Sequence, residues 1–112
     1  MKAIQTNNAP AAIGPYSQAI EVNGFIFASG QIPIDPATGE FVKGGIKEQT
    51  RQSLLNAKSI LIAAGTDLNR VVKTTVFLSD MANFTAMNEV YSTFFEQPFP
   101  ARSAVAVKDL PK

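Results

Sequence analysis

The sequence predicts an α+β domain in which two helices pack on one face of a mixed β-sheet. Two β-prone runs flank an Asn-Gly dipeptide at residues 23–24, which is a strong hairpin signal. Apolar residues recur at helical spacing over 46–64, and the most strand-like run of the chain follows at 70–79. The elements read strand, hairpin, helix, strand, helix, strand, without a repeat or linker, so we expect one domain covering residues 1–112.

Composition limits the chemistry that the chain can carry. It has 112 residues, enough for one core, and neither cysteine nor histidine, which excludes disulfides, a thiol nucleophile and imidazole base catalysis. A metal site is not expected. The net charge of +1 gives no electrostatic case for nucleic acid or an anionic membrane. No signal peptide or spanning run is evident, and we expect a cytoplasmic protein.

The first third of the chain should form a short sheet. Residues 2–6 read as an edge strand, and the hairpin pairs residues 18–22 with 25–29. Between them, a loop over 11–17 is bent at Gly14-Pro15 and presents Tyr16. Ser29 and Gly30 end the second hairpin strand, where glycine allows a ligand to approach closely. Residues 32–40 read as an exposed loop with a turn at 36–39.

Two helices are predicted, separated by a strand. The first runs from Ile46 to Ala64 between Gly45 and Gly65, with a buried stripe. The strand at 70–79 is apolar on both faces, so we expect a helix on one face and a neighbouring subunit on the other. Asp80 should cap the second helix, which runs to about Glu96. The predicted stripes are Ile46, Leu54, Ala57, Leu61 and Ala64 in the first helix, and Phe84, Met87, Tyr91 and Phe94 in the second.

Asn88 lies at the edge of the second stripe, four residues after Phe84 and three before Tyr91. A polar amide at such a position must find hydrogen-bond partners. Asn88 is therefore either a structural bridge to a loop or a residue of a binding site.

The stretch from Pro98 to Val107 is the most informative for function. Two prolines fix the approach of the chain, and an alternating run then places Arg102, Ala104 and Ala106 on one face of a strand. A guanidinium beside two methyl groups leaves room for a ligand, and its planar fork of donors suits a carboxylate. The alternative is an edge-strand arginine paired with an acidic neighbour.

Five segments in this order closely resemble the RidA (reactive intermediate deaminase A, YjgF-type) family. No single motif is specific, but the resemblance extends over essentially the whole chain. The segments are Ala12–Gln18 (AIGPYSQ), Ala28–Pro33 (ASGQIP), Gln49–Asn56 (QTRQSLLN), Val72–Leu78 (VKTTVFL) and Pro100–Ser103 (PARS).

The resemblance implies a chorismate-mutase-like subunit that forms a homotrimer around a central barrel, with a cleft at each subunit interface. It implies the cofactor-free hydrolysis of 2-imino acids, such as 2-iminobutanoate and 2-iminopropanoate, to 2-keto acids and ammonia. These imines are released by pyridoxal-phosphate-dependent dehydratases. An iminium carbon is already electrophilic, so holding the substrate and orienting a water could suffice.

The resemblance also assigns site residues. Arg102 matches the arginine that clamps the substrate carboxylate, and Tyr16 a tyrosine whose hydroxyl orients substrate or water. Ser29 and Gly30 match the strand end beside the ligand, and Asn88 an asparagine at the cleft. Each has a structural alternative: Arg102 as an interface salt bridge, Tyr16 as a loop anchor, Ser29-Gly30 as a strand terminus and Asn88 as a helix bridge.

The chain departs from the family pattern at two places. Ala104, beside the substrate site, stands where many members carry cysteine, so a role for a thiol is excluded. Family members continue beyond the position of Lys112 into a strand with a glutamate thought to activate water, and no residue here matches it. We therefore expect the sequence to be part of a longer protein. A binding or regulatory module for 2-keto acids or other small carboxylates is the alternative to an enzyme.

Overall fold

The strands and helices follow the chain in the predicted order, with one small additional hairpin. The computed structural model describes all 112 residues. Its strands are β1 (Lys2–Ile4), β2 (Ala19–Val22), β3 (Phe25–Ala28), β4 (Ile34–Asp35), β5 (Glu40–Phe41), β6 (Lys73–Leu78) and β7 (Ala101–Ala106), and its helices are α1 (Ile46–Ala63) and α2 (Phe84–Tyr91).

Antiparallel and parallel pairing are both present. The first three strands form an antiparallel meander in the order β1-β2-β3, whereas β6 and β7 pair in parallel. A parallel pair needs a crossover connection, and α2 supplies it. Both helices pack on one side of the strands, where side chains of α1, α2 and β6 share one hydrophobic core. The α+β prediction is therefore confirmed.

The β2–β3 turn has the predicted geometry. Asn23 and Gly24 both adopt positive φ, at 50° and 79°. Asparagine and glycine tolerate this left-handed region best, and the resulting turn matches the twist of the two strands. The register Val22↔Phe25 and Ile20↔Phe27 follows from it.

The helix α1 contains two buried residues outside the predicted stripe. Ile60 and Asn56 are 0% and 1% exposed. Ile60 packs with Ile4 and Ala19 of the meander. The Asn56 amide donates hydrogen bonds to the carbonyl oxygens of Ile32 at 3.2 Å and Ile34 at 2.9 Å. One helix therefore serves two parts of the core, which widens its buried face beyond a single stripe.

The prediction that residues 32–40 form an exposed loop is wrong in part. β4 and β5 form a hairpin with two residues in each strand, closed by the turn that we predicted, with the Gly39 amide donating to the Asp35 carbonyl at 2.8 Å. Ile34 is buried, because the Asn56 amide holds its carbonyl against α1. The side chain of Asn56 thus fixes this segment against α1, a contact that the local turn residues did not indicate.

The second helix is shorter than predicted at both ends. Asp80 caps a 3₁₀ turn rather than α2 itself, with its carboxylate accepting from the Ala82 amide at 2.8 Å. α2 stops at Tyr91, where the hydroxyls of Ser92 and Thr93 donate to the carbonyls of Glu89 and Val90. Such bonds compete with continued helical pairing. The strand predicted from residue 70 likewise begins at Lys73, after a 3₁₀ turn at Leu68–Arg70.

The face of the strands that points away from the helices carries exposed aromatic rings. In β3, Ile26 packs into the core, so Phe25 and Phe27 point outward, each 63% exposed. In β6, Phe77 points outward and is 55% exposed, beside Val105 of β7. We call these four residues the outer apolar face. Neither helix combines the length and apolar character needed to cross a membrane.

Candidate carboxylate-binding site

The start of β7 is fixed by the two prolines and by its pairing with β6. Pro98 and Pro100 have no N–H to donate to the ladder, and pairing begins at Ala101. The Ala101 amide donates to the Val72 carbonyl at 3.0 Å, and Arg102 then lies opposite Thr74. Arg102 is half-buried between exposed neighbours, as the alternating pattern predicted.

Three side chains of α2 surround the Arg102 guanidinium. Its central carbon lies 4.7 Å from the ring centroid of Tyr91 and 5.4 Å from that of Phe84. Its Nη1 donates a 2.7 Å hydrogen bond to Oδ1 of Asn88. Both distances to rings lie in the range where the negative face of an aromatic ring attracts a cation. We call Phe84, Asn88 and Tyr91 the arginine cradle.

The cradle arises from helical spacing and from the parallel register. Phe84, Asn88 and Tyr91 are separated by four and three residues, so they share one face of α2. The Tyr91 hydroxyl is hydrogen-bonded to Oγ1 of Thr74 at 2.7 Å, and Thr74 is the residue paired with Arg102. Tyr91 is therefore held by the neighbouring strand while its ring lies against the guanidinium.

Arg102 has no acidic partner within the chain. The single ion pair joins Lys47 to Glu89 at 2.8 Å, on the exposed surfaces of α1 and α2. A hydrogen bond and the opposite charge raise the pKa of Lys47 and lower the pKa of Glu89. The alternative that Arg102 pairs with an acidic neighbour is therefore wrong for a single chain. Its bond to Asn88 is the one hydrogen bond that its five N–H donors make.

Asn88 bridges a helix to a strand rather than to a loop. Because a guanidinium only donates, the amide oxygen must face Arg102, and the NH₂ group points elsewhere. That NH₂ group makes no hydrogen bond within the chain, although the residue is half-buried. Asn88 thus holds Arg102 and retains two donors.

Tyr16, Ser29 and Gly30 form a second group. The Ser29 hydroxyl donates to the Ser17 carbonyl at 2.6 Å, which ties the end of β3 to the loop that carries Tyr16. That loop turns at Gly14, whose φ of 130° favours glycine, and Tyr16 is 54% exposed. A Cβ atom added at Gly30 would have no atom within 4 Å other than those of its chain neighbours. No hydrogen bond joins this group to Arg102 or Asn88.

Ala104 lies two residues after Arg102 on the same face of β7 and opposite Val76. It is half-buried, and its methyl group adds no polar contact. No group of three or more acidic side chains is placed to hold a metal ion.

Sequence reasoning did not identify Phe84, Tyr91 and Thr74 as partners of Arg102. The two rings were assigned only to the buried stripe of the second helix, and Thr74 only to a strand face. The spacing of the two rings around Asn88 was visible, but their contact with Arg102 depends on the register of β6 and β7.

The fold and the site define a small α+β protein that presents an arginine without a counter-ion. A family model described as Endoribonuclease L-PSP matches residues 6–112. A RutC family protein of Pyrococcus horikoshii is 60% identical over 99% of this chain and 88% of its own length. The 2-iminobutanoate/2-iminopropanoate deaminase of Mus musculus is 52% identical over 99% of this chain and 82% of its own length.

Two solved structures also resemble this chain over its whole length. RidA from an Antarctic Psychrobacter has a TM-score of 0.95 and 46% identity, covering 100% of this chain and 90% of its own. Escherichia coli TdcF with bound serine has a TM-score of 0.94 and 43% identity, with the same coverage. The chain belongs to the RidA (YjgF-type) family.

Proposed function

We propose that the protein hydrolyses 2-imino acids to 2-keto acids and ammonia, with Arg102 binding the substrate carboxylate. The observation that carries this proposal is the guanidinium of Arg102, held by three side chains and without an acidic partner. An α-imino acid supplies the planar carboxylate that such a fork of donors binds in a bidentate manner. The naming of a mammalian relative as an imine deaminase supports the reaction class.

The chemistry makes few demands on the protein. Water adds to the imine carbon while the π electrons of the C=N bond move to nitrogen, which takes up one proton from the added water. The resulting carbinolamine then passes its hydroxyl proton to nitrogen as the C–N bond breaks, so ammonia leaves and the carbonyl forms. Arg102 would fix the carboxylate and thereby hold the electrophilic imine carbon in position for attack by water. The hydroxyl of Tyr16 is the donor proposed to orient the substrate or the water, whereas Asn88 acts by holding Arg102. No cofactor enters this scheme.

We further propose that the site is completed between subunits of a homotrimer. Tyr16, Ser29 and Gly30 make no hydrogen bond to Arg102 within one chain, so a neighbouring subunit would have to bring the two groups together. The outer apolar face gives such an assembly its contact surface, because aromatic rings this exposed are typical of subunit interfaces.

The test is an imine-diversion assay. A threonine dehydratase generates 2-iminobutanoate in place, semicarbazide traps the imine, and the keto acid formed in competition is measured. We expect the protein to divert imine to keto acid, and Arg102→Ala to lower kcat/KM by about 10- to 100-fold, the loss typical of hydrogen bonds to a charged group. Arg102→Lys should restore only part of the activity, because an ammonium cannot form the bidentate pair.

A binding module for small carboxylates is the second candidate, because the TdcF structure holds bound serine, an amino acid with a carboxylate. Titration with 2-ketobutanoate combined with the imine assay separates the two, because both candidates bind the carboxylate and only the enzyme turns the imine over. Binding that requires Arg102 without any turnover, including in a chain extended at its C terminus to the length of its relatives, would support the module. Absence of both binding and turnover would contradict both candidates.

A further inference from the structure

We propose that Phe84, Asn88 and Tyr91 are positioning residues that hold the Arg102 guanidinium with neutral groups only, so that the ligand carboxylate becomes its first anionic partner. This inference rests on the proposed role of Arg102 in carboxylate binding. It concerns residues that act through Arg102 rather than on the reacting atoms.

The need for a cradle follows from the properties of arginine. A free arginine side chain samples many rotamers, and ordering it on binding lowers the affinity for its ligand. Proteins commonly order an arginine with a carboxylate, but such an internal ion pair would compete with the ligand for the same donors. Two ring faces and one amide oxygen order the guanidinium without satisfying its charge.

The geometry leaves the positive charge of Arg102 free to pair with a ligand carboxylate. Nη1 is the one nitrogen bonded within the chain, so the remaining N–H groups can receive a carboxylate. The one acidic residue adjacent to Asn88 in the chain is Glu89, and its carboxylate is paired with Lys47 at 2.8 Å. The ion pair between the helices therefore keeps the nearest acidic side chain of α2 engaged elsewhere.

The decisive variant is Asn88→Asp, which preserves shape and acceptor but places a carboxylate against Arg102. We expect the Kd for 2-ketobutanoate, measured by calorimetry at pH 7, to rise about tenfold or more, because the internal carboxylate pairs with the guanidinium. KM in the imine assay should rise more than kcat falls. Asn69→Asp adds the same charge on an exposed turn and should leave Kd unchanged. An unchanged Kd for Asn88→Asp would overturn the proposal.

The ordering role is measured without any ligand. The ¹⁵N relaxation of the Arg102 Nε–H group reports its order on the ps–ns timescale. We expect the order parameter to fall in Phe84→Leu, which removes a ring but keeps an apolar side chain. It should persist in Tyr91→Phe, which keeps the ring and loses only the hydroxyl bond to Thr74. An unchanged order parameter in Phe84→Leu would contradict the cradle.

Two further outcomes separate this inference from the proposed function. If Asn88→Ala weakens binding as much as Asn88→Asp while Arg102 stays ordered, then Asn88 contacts the ligand directly and is not a positioning residue. If the unmodified protein binds no carboxylate, the proposed function fails, and the relaxation measurement still decides whether the cradle orders Arg102.

Discussion

Gln18 shows how one buried amide organises a segment that lacks regular structure. It is 3% exposed, accepts a hydrogen bond from the Thr6 amide at 2.7 Å and donates to the carbonyls of Thr6 and Pro10 at 3.1 and 2.8 Å. These contacts hold residues 6–10 against β2, immediately before the loop that carries Tyr16. The same device recurs at Asn56, which holds β4 against α1.

Replacing Gln18 by alanine should destabilise the protein markedly. The substitution removes the Gln18 partner from half-buried backbone groups of Thr6 and Pro10 and from the carbonyl of buried Ala9. A buried polar group left unpaired costs about 1–3 kcal/mol. We expect a loss of about 2–4 kcal/mol in the free energy of unfolding, measured by urea denaturation. The matched control is Gln31→Ala, whose amide bonds only to neighbouring carbonyls of Ser29 and Gly30. Equal losses in the two variants would contradict the assigned role.

At the scale of elements, α1 and α2 are joined by the ion pair of Lys47 and Glu89, and its effect should be small. The two side chains are 56% and 60% exposed, so water and salt screen their attraction. The lowered pKa of Glu89 means that its contribution is present above the ordinary value of 4.5 and is lost as the pH falls through the lowered pKa. The raised pKa of Lys47 means that its contribution is present below 10.5 and is lost as the pH rises through the raised pKa.

A double-mutant cycle of Lys47→Ala and Glu89→Ala measures the coupling energy of this ion pair. We expect a weak favourable coupling energy at pH 7 and low salt that disappears in 1 M salt and below the lowered pKa of Glu89. The control cycle pairs Lys47→Ala with Glu40→Ala, which removes an exposed carboxylate from β5. A large coupling that resisted salt would show that the pair is more strongly shielded from water than its exposure indicates.

The elements also show what a sequence can predict. The 23–24 turn, both helices and the succession of elements along the chain were predicted, because each depends on local patterns of turn residues and apolar spacing. The hairpin at β4 and β5 was missed, since its order comes from Asn56, more than twenty residues away. The C-terminal end of α2 was misplaced because the hydroxyls of Ser92 and Thr93 bond to carbonyls that a longer helix would use.

In the site, too, features set by local sequence were predicted and features set by long-range contacts were not. Alternation within β7 predicted the face of Arg102, and the resemblance supplied its proposed role. The cradle could not be predicted, because Phe84 and Tyr91 read as ordinary core residues until the parallel register sets Arg102 beside them. The roles of Tyr16, Ser29, Gly30 and Ala104 stay predictions, since a single chain brings none of them into hydrogen bonding with Arg102.

For the molecule as a whole, the outer apolar face remains to be accounted for. Helices cover one side of the strands, whereas Phe25, Phe27 and Phe77 on the other side are more than half exposed. A two-sided sheet with apolar residues on both faces is stable when both are covered. The proposed homotrimer would cover this face and bring the two groups of site residues together across a subunit boundary, so assembly and activity should be lost together.

The variant Phe77→Glu tests this coupling, because three carboxylates brought into one apolar interface would repel one another and lose hydration. In sedimentation velocity we expect the unmodified protein at three times the 12.0 kDa of the chain and the variant at lower mass. Imine hydrolysis should fall with the fraction of trimer, and near-native circular dichroism would show that the subunit still folds. The control Ile62→Glu changes a residue of α1 that is also 55% exposed, and should preserve mass and activity. An unmodified protein that sediments as a monomer, or a monomeric variant with full activity, would contradict a site completed between subunits.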